Sequence, residues 1–196
     1  MENRFHFGLK IAVIAQTTDL LRKFIESIPG VTIDEDEDFR FLKVYSFPLY
    51  SDSMVIRVDL WALPADVRQR GDAQILCSDA TIVFYVSTSE NDLLSILSVF
   101  HRDIRGSNPQ CKYVCCGELN ENSLIELGKA SGFTILNIEN MEKKNAERVF
   151  FTTVISVLNQ IPNPPDPASL LYKNIRLGTL LLDNPIYQKA LHPVSE

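Results

Sequence analysis

Apolar segments of strand length alternate with segments of helical spacing along most of this chain. The first apolar run, residues 9–15, has Lys10 as its one charged member and is otherwise rich in residues that favour strands. Such a run is typical of a strand buried on both faces of a parallel sheet. Further runs at residues 80–86, 112–116 and 134–138 repeat the pattern. The alternation predicts an α/β fold with a mostly parallel sheet and helices on both faces.

Capping residues and chain breakers mark the ends of the predicted helices. Thr17, Thr18 and Asp19 supply the N-terminal cap of a first helix that ends before Pro29 and Gly30. Ser89 caps a helix over residues 91–103, and two more helices are predicted at 123–131 and 143–160. Residues 62–78 have a poor pattern, but the order of elements places a helix there too.

Two alternating segments, residues 39–47 and 54–60, interrupt this order without a helix between them. A polar turn at residues 51–53 separates them, so they predict an antiparallel hairpin. The expected fold is therefore a mostly parallel six-stranded sheet with one antiparallel edge strand.

A proline-rich stretch at residues 161–167 cannot continue the last long helix. It predicts a stiff connector, so we divide the chain into a domain of residues 1–160 and an extension of residues 161–196. The extension is unusually apolar and must be covered, either by its own domain or by a partner. The residues that we predict for a partner interface are Leu170, Leu171, Ile175, Leu177, Leu180 and Leu181.

The formal net charge of −6 argues against a direct electrostatic hold on nucleic acid. The first ten residues lack the apolar core of a signal peptide, and no later run is long enough to span a membrane. The last residues, 191–196, contain no cysteine that could be prenylated. We therefore expect a protein of the nucleus or cytoplasm without a membrane anchor.

The four cysteines and three histidines do not have the spacing of a metal site. Cys115 and Cys116 lie in an apolar run, which favours buried thiols over a nucleophile. A phosphorylation site like that of response regulators would need an aspartate at the end of the third strand, whereas Asp59 lies within it. We expect no metal, no cofactor and no catalytic residue.

The order of elements resembles that of the Ras and Rab family of small GTPases. The stretches that carry the resemblance are LKIAVIA (residues 9–15), IRVDLW (56–61), TIVFYVSTSENDLLSI (81–96) and AERVFFTTVISVL (146–158). The resemblance covers residues 9–160 and implies a Ras-like P-loop GTPase fold.

The motifs by which that family binds nucleotide are missing. The phosphate-binding loop, GxxxxGK[ST], is replaced by residues 16–19, which contain no glycine and no lysine. The DxxG, NKxD and SAK elements fall on residues 62–65, 117–121 and 137–139 and are lost as well. Five carboxylates at residues 34–38 would also repel a triphosphate. The resemblance therefore implies a pseudo-GTPase that binds no nucleotide and is not an enzyme.

Further stretches, residues 11–28, 42–49 and 155–171, resemble a degenerate member of the family that is a kinetochore subunit. This resemblance implies a non-catalytic scaffold held by larger protein partners at the inner centromere. Residues 79–96 and 131–139 resemble another degenerate member, an assembly chaperone for trafficking adaptors. The two alternatives to a role as a kinetochore subunit are thus an adaptor chaperone and a divergent GTPase with unusual nucleotide contacts.

Overall fold

The computed structural model describes residues 5–51, 54–117, 134–137, 143–162 and 166–182. The strands within these ranges are β1 (Phe7–Ala15), β2 (Lys43–Ser51), β3 (Met54–Pro64), β4 (Ile82–Ser87), β5 (Lys112–Gly117), β6 (Thr134–Asn137) and β7 (Ile175–Leu177). The α-helices are α1 (Thr18–Glu26), α2 (Arg70–Cys77), α3 (Glu90–Ile96), α4 (Arg102–Ser107), α5 (Lys143–Leu158), α6 (Pro167–Tyr172) and α7 (Thr179–Leu182). A 3-10 turn, Val67–Gln69, precedes α2, and a π-helical turn, Leu97–His101, joins α3 to α4.

The main sheet has the strand order β2-β3-β1-β4-β5-β6. All neighbouring pairs along this path are parallel except β2 and β3, which form an antiparallel pair at one edge. The predicted α/β class and the six-stranded, mostly parallel path with an antiparallel edge strand are confirmed. The helix predicted at residues 123–131 lies outside the described residues.

Two apolar cores lie on the two faces of the sheet because alternate residues of each strand point to opposite faces. From β1, Leu9, Ile11 and Val13 enter the first core, which also receives α1 and α5. Ala12 and Ile14 enter the second core, which receives α2, α3, the π turn and α4. Helices therefore cover both faces, as predicted.

Both predicted helix caps form in the structure, and the poorly patterned segment contains a helix. Thr17 Oγ1 accepts a hydrogen bond of 3.2 Å from the Leu20 amide, and the Ser89 hydroxyl caps α3 in the same way. The helix expected within residues 62–78 is α2. The first hairpin strand begins at Lys43 and not at residue 39, because Phe39 is buried in the first core from the preceding loop.

The strand β7 was not predicted, and it joins the C-terminal segment to the sheet. Strand β3 pairs with the whole of β1 along one edge, whereas β4 pairs only with residues 11–15 on the other edge. The remaining part of that edge is taken by β7, which runs antiparallel and pairs Phe7 with Leu177 and Leu9 with Ile175. Residues 166–182 therefore contribute to the same sheet and the same core as β1.

A polar cluster ties β7 to the start of β4. Asn174, whose φ of 56° places it in the left-handed region, donates from Nδ2 to Asn108 Oδ1 over 3.0 Å. Its carbonyl oxygen accepts from Thr81 Oγ1 over 2.9 Å. Asn108 is buried and donates to the carbonyl oxygens of Cys77 and Ala80, each over 2.8 Å. These bonds fix the direction in which the chain enters β7.

Candidate functional site

In open α/β sheets, ligands commonly bind beyond the carboxyl ends of the strands. At that edge, Thr17 is occupied as the cap of α1, and the Gln16 carboxamide oxygen accepts from Ser87 Oγ over 3.4 Å and from Thr88 Oγ1 over 3.2 Å. The Ala65 amide donates to the Ala15 carbonyl oxygen over 2.8 Å. These polar groups are used in hydrogen bonds within the protein. A phosphate-binding loop would instead present free backbone amides. Residues 118–121 and 138–139, which replace parts of the guanine-binding motifs, lie outside the described residues.

The four cysteines are buried free thiols. Burial raises the pKa of Cys77 to about 12, although Lys10 opposes the shift, and it raises the pKa of Cys115 to about 12 as well. A nucleophilic cysteine needs a lowered pKa and access to solvent, so these thiols belong to the apolar core. The described residues hold no group of three or more His, Cys, Asp or Glu side chains that could bind a metal ion. None of the helices in the described ranges is long and apolar enough to cross a membrane.

His101 lies in the π turn and faces two tyrosines of the second core. Its Nδ1 is 3.2 Å from the Tyr85 hydroxyl, and its ring meets that of Tyr113 edge to face with centroids 4.8 Å apart. Burial, helped by the charge of Arg105, lowers the pKa of His101 to about 4. His6, in contrast, accepts from the Val55 amide over 2.9 Å at the base of the sheet, and His192 lies outside the described residues.

We expect the stability of the protein to fall below pH 6.5 because of His101. The folded protein holds this ring neutral, whereas the unfolded chain protonates it at its ordinary pKa near 6.5. The stabilising contribution is present above that pH and is lost as the pH falls towards 4, by roughly 1–2 kcal/mol. Urea unfolding at a series of pH values measures the loss. His101→Gln serves as the comparison, since the carboxylates titrate equally in both proteins, and equal slopes would contradict the assignment.

An exposed apolar groove, which we call the α2 groove, lies between the segment that precedes β2 and the helix α2. Its volume is about 420 Å³. Two large apolar side chains on it are open to solvent, Phe41 at 63% and Ile75 at 71% exposure. The other lining residues are Leu42, Leu63, Gln69, Asp72 and Leu76. Contiguous exposed apolar surface of this kind marks binding sites more often than scattered surface residues do.

The polar groups of the α2 groove include one buried acceptor and one exposed carboxylate. Gln69 donates from Nε2 to the Arg40 carbonyl oxygen over 3.2 Å, but its buried Oε1 accepts from no donor among the described residues. Asp72 is exposed on the same groove. The acidic residues 34–38 precede Phe41 in the chain, and of these Asp38 is bound by Arg40. The groove therefore suits an apolar segment that carries hydrogen-bond donors or positive charge.

The six residues that we predict for a partner interface have different environments. Leu170, Ile175 and Leu181 are buried in the first core, and Leu177 packs partly buried against it. Leu180 is half-buried. Leu171 is exposed at 77% and lies on a second, separate cleft beside β7. The structure thus brings five of the six residues into or towards the protein and leaves Leu171 on the surface.

The α2 groove was missed in the sequence because its residues come from segments with weak patterns. The alternating pattern places Phe41 in a strand, and Ile75 lies in the stretch without clear periodicity. The adjacent pair Phe41 and Leu42, before the first residue of β2, is a sequence signal for the groove, since a solvated loop rarely carries two large apolar residues.

Comparisons with known proteins do not assign this chain to a family. The chain matches no model of a known protein family, and a search among curated proteins finds no significant match.

Proposed function

We propose that this protein is a non-catalytic scaffold with a Ras-like pseudo-GTPase domain, and that the α2 groove is its docking site for a partner protein. The strand order β2-β3-β1-β4-β5-β6 with a single antiparallel edge supports the Ras-like part of the proposal. The use of Gln16, Thr17, Ser87 and Thr88 in internal hydrogen bonds supports the absence of nucleotide chemistry.

The observation that carries the docking site is the pair of exposed apolar side chains, Phe41 and Ile75, on one apolar groove. Leaving such side chains in water forgoes about 1.5–3 kcal/mol each in comparison with burial. A partner that covers both recovers much of this free energy. The exposed Asp72 carboxylate on the groove favours an amphipathic segment with an apolar face and a basic flank.

The test is to replace Phe41 and Ile75 by Ser and to identify captured proteins by mass spectrometry. The matched control is Ile155→Ser, which changes an equally apolar, exposed side chain on α5 away from the groove. We expect at least one protein to bind the wild type and the control but not the groove variant. A groove variant that captures the same proteins as the wild type would refute the docking site.

A measurement of nucleotide binding distinguishes the proposed scaffold from the alternative, a divergent GTPase. We expect an affinity for GTP, GDP or ATP no better than about millimolar, with or without magnesium, because the phosphate-binding glycines and lysine are missing from residues 16–19. Isothermal titration calorimetry measures it. Micromolar binding would overturn the non-enzymatic proposal.

A kinetochore role rests on the resemblance of residues 11–28, 42–49 and 155–171 to centromere protein M. The alternative, an adaptor chaperone, rests on the likeness of residues 79–96 and 131–139 to the alpha- and gamma-adaptin-binding protein. A fluorescent fusion tests both at once. Centromere foci in the nucleus favour the first, and diffuse cytoplasmic signal favours the second.

A further inference from the structure

The strand β2 forms one edge of the sheet, and within the described residues no strand lies on its outer side. It runs from Lys43 to Ser51 and pairs along its whole length with β3. An edge strand of this length offers its unused backbone groups to any further extended chain. The edge is separate from the α2 groove, because no residue of β2 lines that groove.

The backbone groups that point outward from β2 belong to its even-numbered residues. The Ala65 amide donates to the Ala15 carbonyl oxygen, so β3 bonds to β1 through its odd-numbered residues and to β2 through its even-numbered ones. The residues of β2 opposite these, such as Tyr45 opposite Leu60, are odd-numbered. The outward-facing residues are therefore Val44, Ser46, Pro48 and Tyr50.

This edge is only partly protected against pairing. Pro48 has no N–H and therefore blocks a further strand at its own position, as prolines on edge strands do. The four outward-facing residues are all exposed, and none of them carries a charge. Lys43, the one charged residue of the strand, pairs with Glu37 over 3.4 Å. The part of the edge at Val44 and Ser46 thus lacks both proline and charge.

This part of the edge is complementary to a second copy of itself. In an antiparallel pair centred on Tyr45, Val44 of one copy exchanges both backbone hydrogen bonds with Ser46 of the second copy, and the reverse pair does the same. The outward N–H and C=O groups of both residues are then satisfied. A centre at Ser46 or Phe47 would instead place Pro48 opposite one of them, and a carbonyl oxygen in each copy would lack a donor.

Tyr45 adds an aromatic contact at the centre of this arrangement. Its side chain is half-buried and packs against the first core. Across the two copies the tyrosines form a non-hydrogen-bonded pair, the kind in which cross-strand side chains lie closest, and aromatic pairs stabilise such positions. No like charges meet across the contact, so a second copy suits this edge.

We propose that two copies of this chain associate through their β2 edges, around a two-fold axis at Tyr45, so that their sheets become continuous. The contact involves few residues of each copy and is smaller than a stable interface requires. The dimer is therefore weak and forms at high protein concentration. It does not depend on a partner in the α2 groove, so either site can fail without the other.

Sedimentation velocity of the purified chain, from low to high micromolar concentration, measures this association. We expect a shift from monomer towards dimer as the concentration rises. Added salt should not weaken the dimer, because it screens the repulsion between two chains that each carry a formal net charge of −6. A monomer at every concentration would overturn the proposal and leave the edge to a strand of another protein or of another part of this chain. Dissociation by salt would overturn it too, since it would indicate an ionic contact.

A pair of proline variants tests the position of the contact. Val44→Pro removes one outward N–H from each copy and no hydrogen bond between β2 and β3. We expect the dimer to be weakened at least about tenfold, as the loss of two hydrogen bonds predicts. The matched control Tyr50→Pro makes the same change on the same strand outside the contact and should leave association unchanged. Equal association of these two variants would contradict the proposed register.

A pair of lysine variants gives the same test without proline and decides the question if a proline variant does not fold. The two Val44 side chains would lie on one face of the joined sheet, about 7–8 Å apart. Val44→Lys should therefore weaken the dimer by charge repulsion, and added salt should restore it. Tyr50→Lys, the control, should associate like the wild type. Two lysine variants that behave alike would overturn the proposal, and circular dichroism shows that each variant is folded.

Discussion

A chain truncated after Pro167 is expected to lose its stable fold. The deletion removes Leu170, Ile175 and Leu181, which are buried in the first core, and exposes the edge of β1 that β7 covers. Each buried side chain of this size contributes about 1.5–3 kcal/mol, so the loss is roughly 5–9 kcal/mol. Whole domains are stable by only about 5–15 kcal/mol. Thermal unfolding followed by circular dichroism should show a greatly lowered or absent transition.

The matched control for this deletion is a chain truncated after Leu182, which keeps every described residue. The difference between the two truncated chains reports on residues 168–182 alone. If the shorter chain melted at the temperature of the longer one, the core contacts of Leu170, Ile175 and Leu181 would not contribute to the free energy of unfolding. Loss of partner capture without loss of stability would instead place these three side chains in an interface, as the sequence suggests for them.

The replacement Gly178→Ala is expected to be the most damaging small substitution in the described part of the chain. A Cβ at this position would lie 1.8 Å from the Phe5 carbonyl oxygen, and backbone atoms cannot move aside as a flexible side chain can. The Gly178 amide also donates to the His6 carbonyl oxygen over 2.7 Å. We expect a loss of about 3 kcal/mol or more, which corresponds to a melting temperature lower by roughly 6–12 °C.

Gly71→Ala is the control for this substitution. Gly71 lies in α2, and nothing stands within 4 Å of a Cβ built on it. Alanine is favoured over glycine inside a helix by roughly 0.5–1 kcal/mol, so this variant should melt at the same or a higher temperature. Similar melting temperatures for the two variants would mean that β7 does not approach the N-terminal segment as closely as described.

The sheet could be predicted because its strands carry a local signal. The runs at residues 9–15 and 80–86 are apolar except for Lys10 and Thr81, since parallel strands are buried on both faces. Caps such as Thr17 and Ser89 act within three residues. Neither feature depends on the rest of the chain. The class of fold and the order of its central elements therefore follow from short stretches of sequence.

The pairing of β7 and the two clefts could not be predicted in the same way. The three residues of β7 are too few to show a period, and their position is set by Asn174, which reaches Asn108 from 66 residues away. The α2 groove joins Phe41 to Ile75, and the cleft beside β7 joins Lys10 to Arg176. Such sites arise from packing between distant segments, and no local pattern of residues encodes them.

The antiparallel contact between β7 and β1 has a consequence for the order in which the protein folds during synthesis. Residues 7–9 leave the ribosome well before their partners, residues 175–177, have been made. Until then that part of the edge of β1 presents free backbone groups, which attract other extended chains. The growing chain is thus exposed to misassembly at this edge until residues 175–177 have been added, and protection by a chaperone would be most useful there.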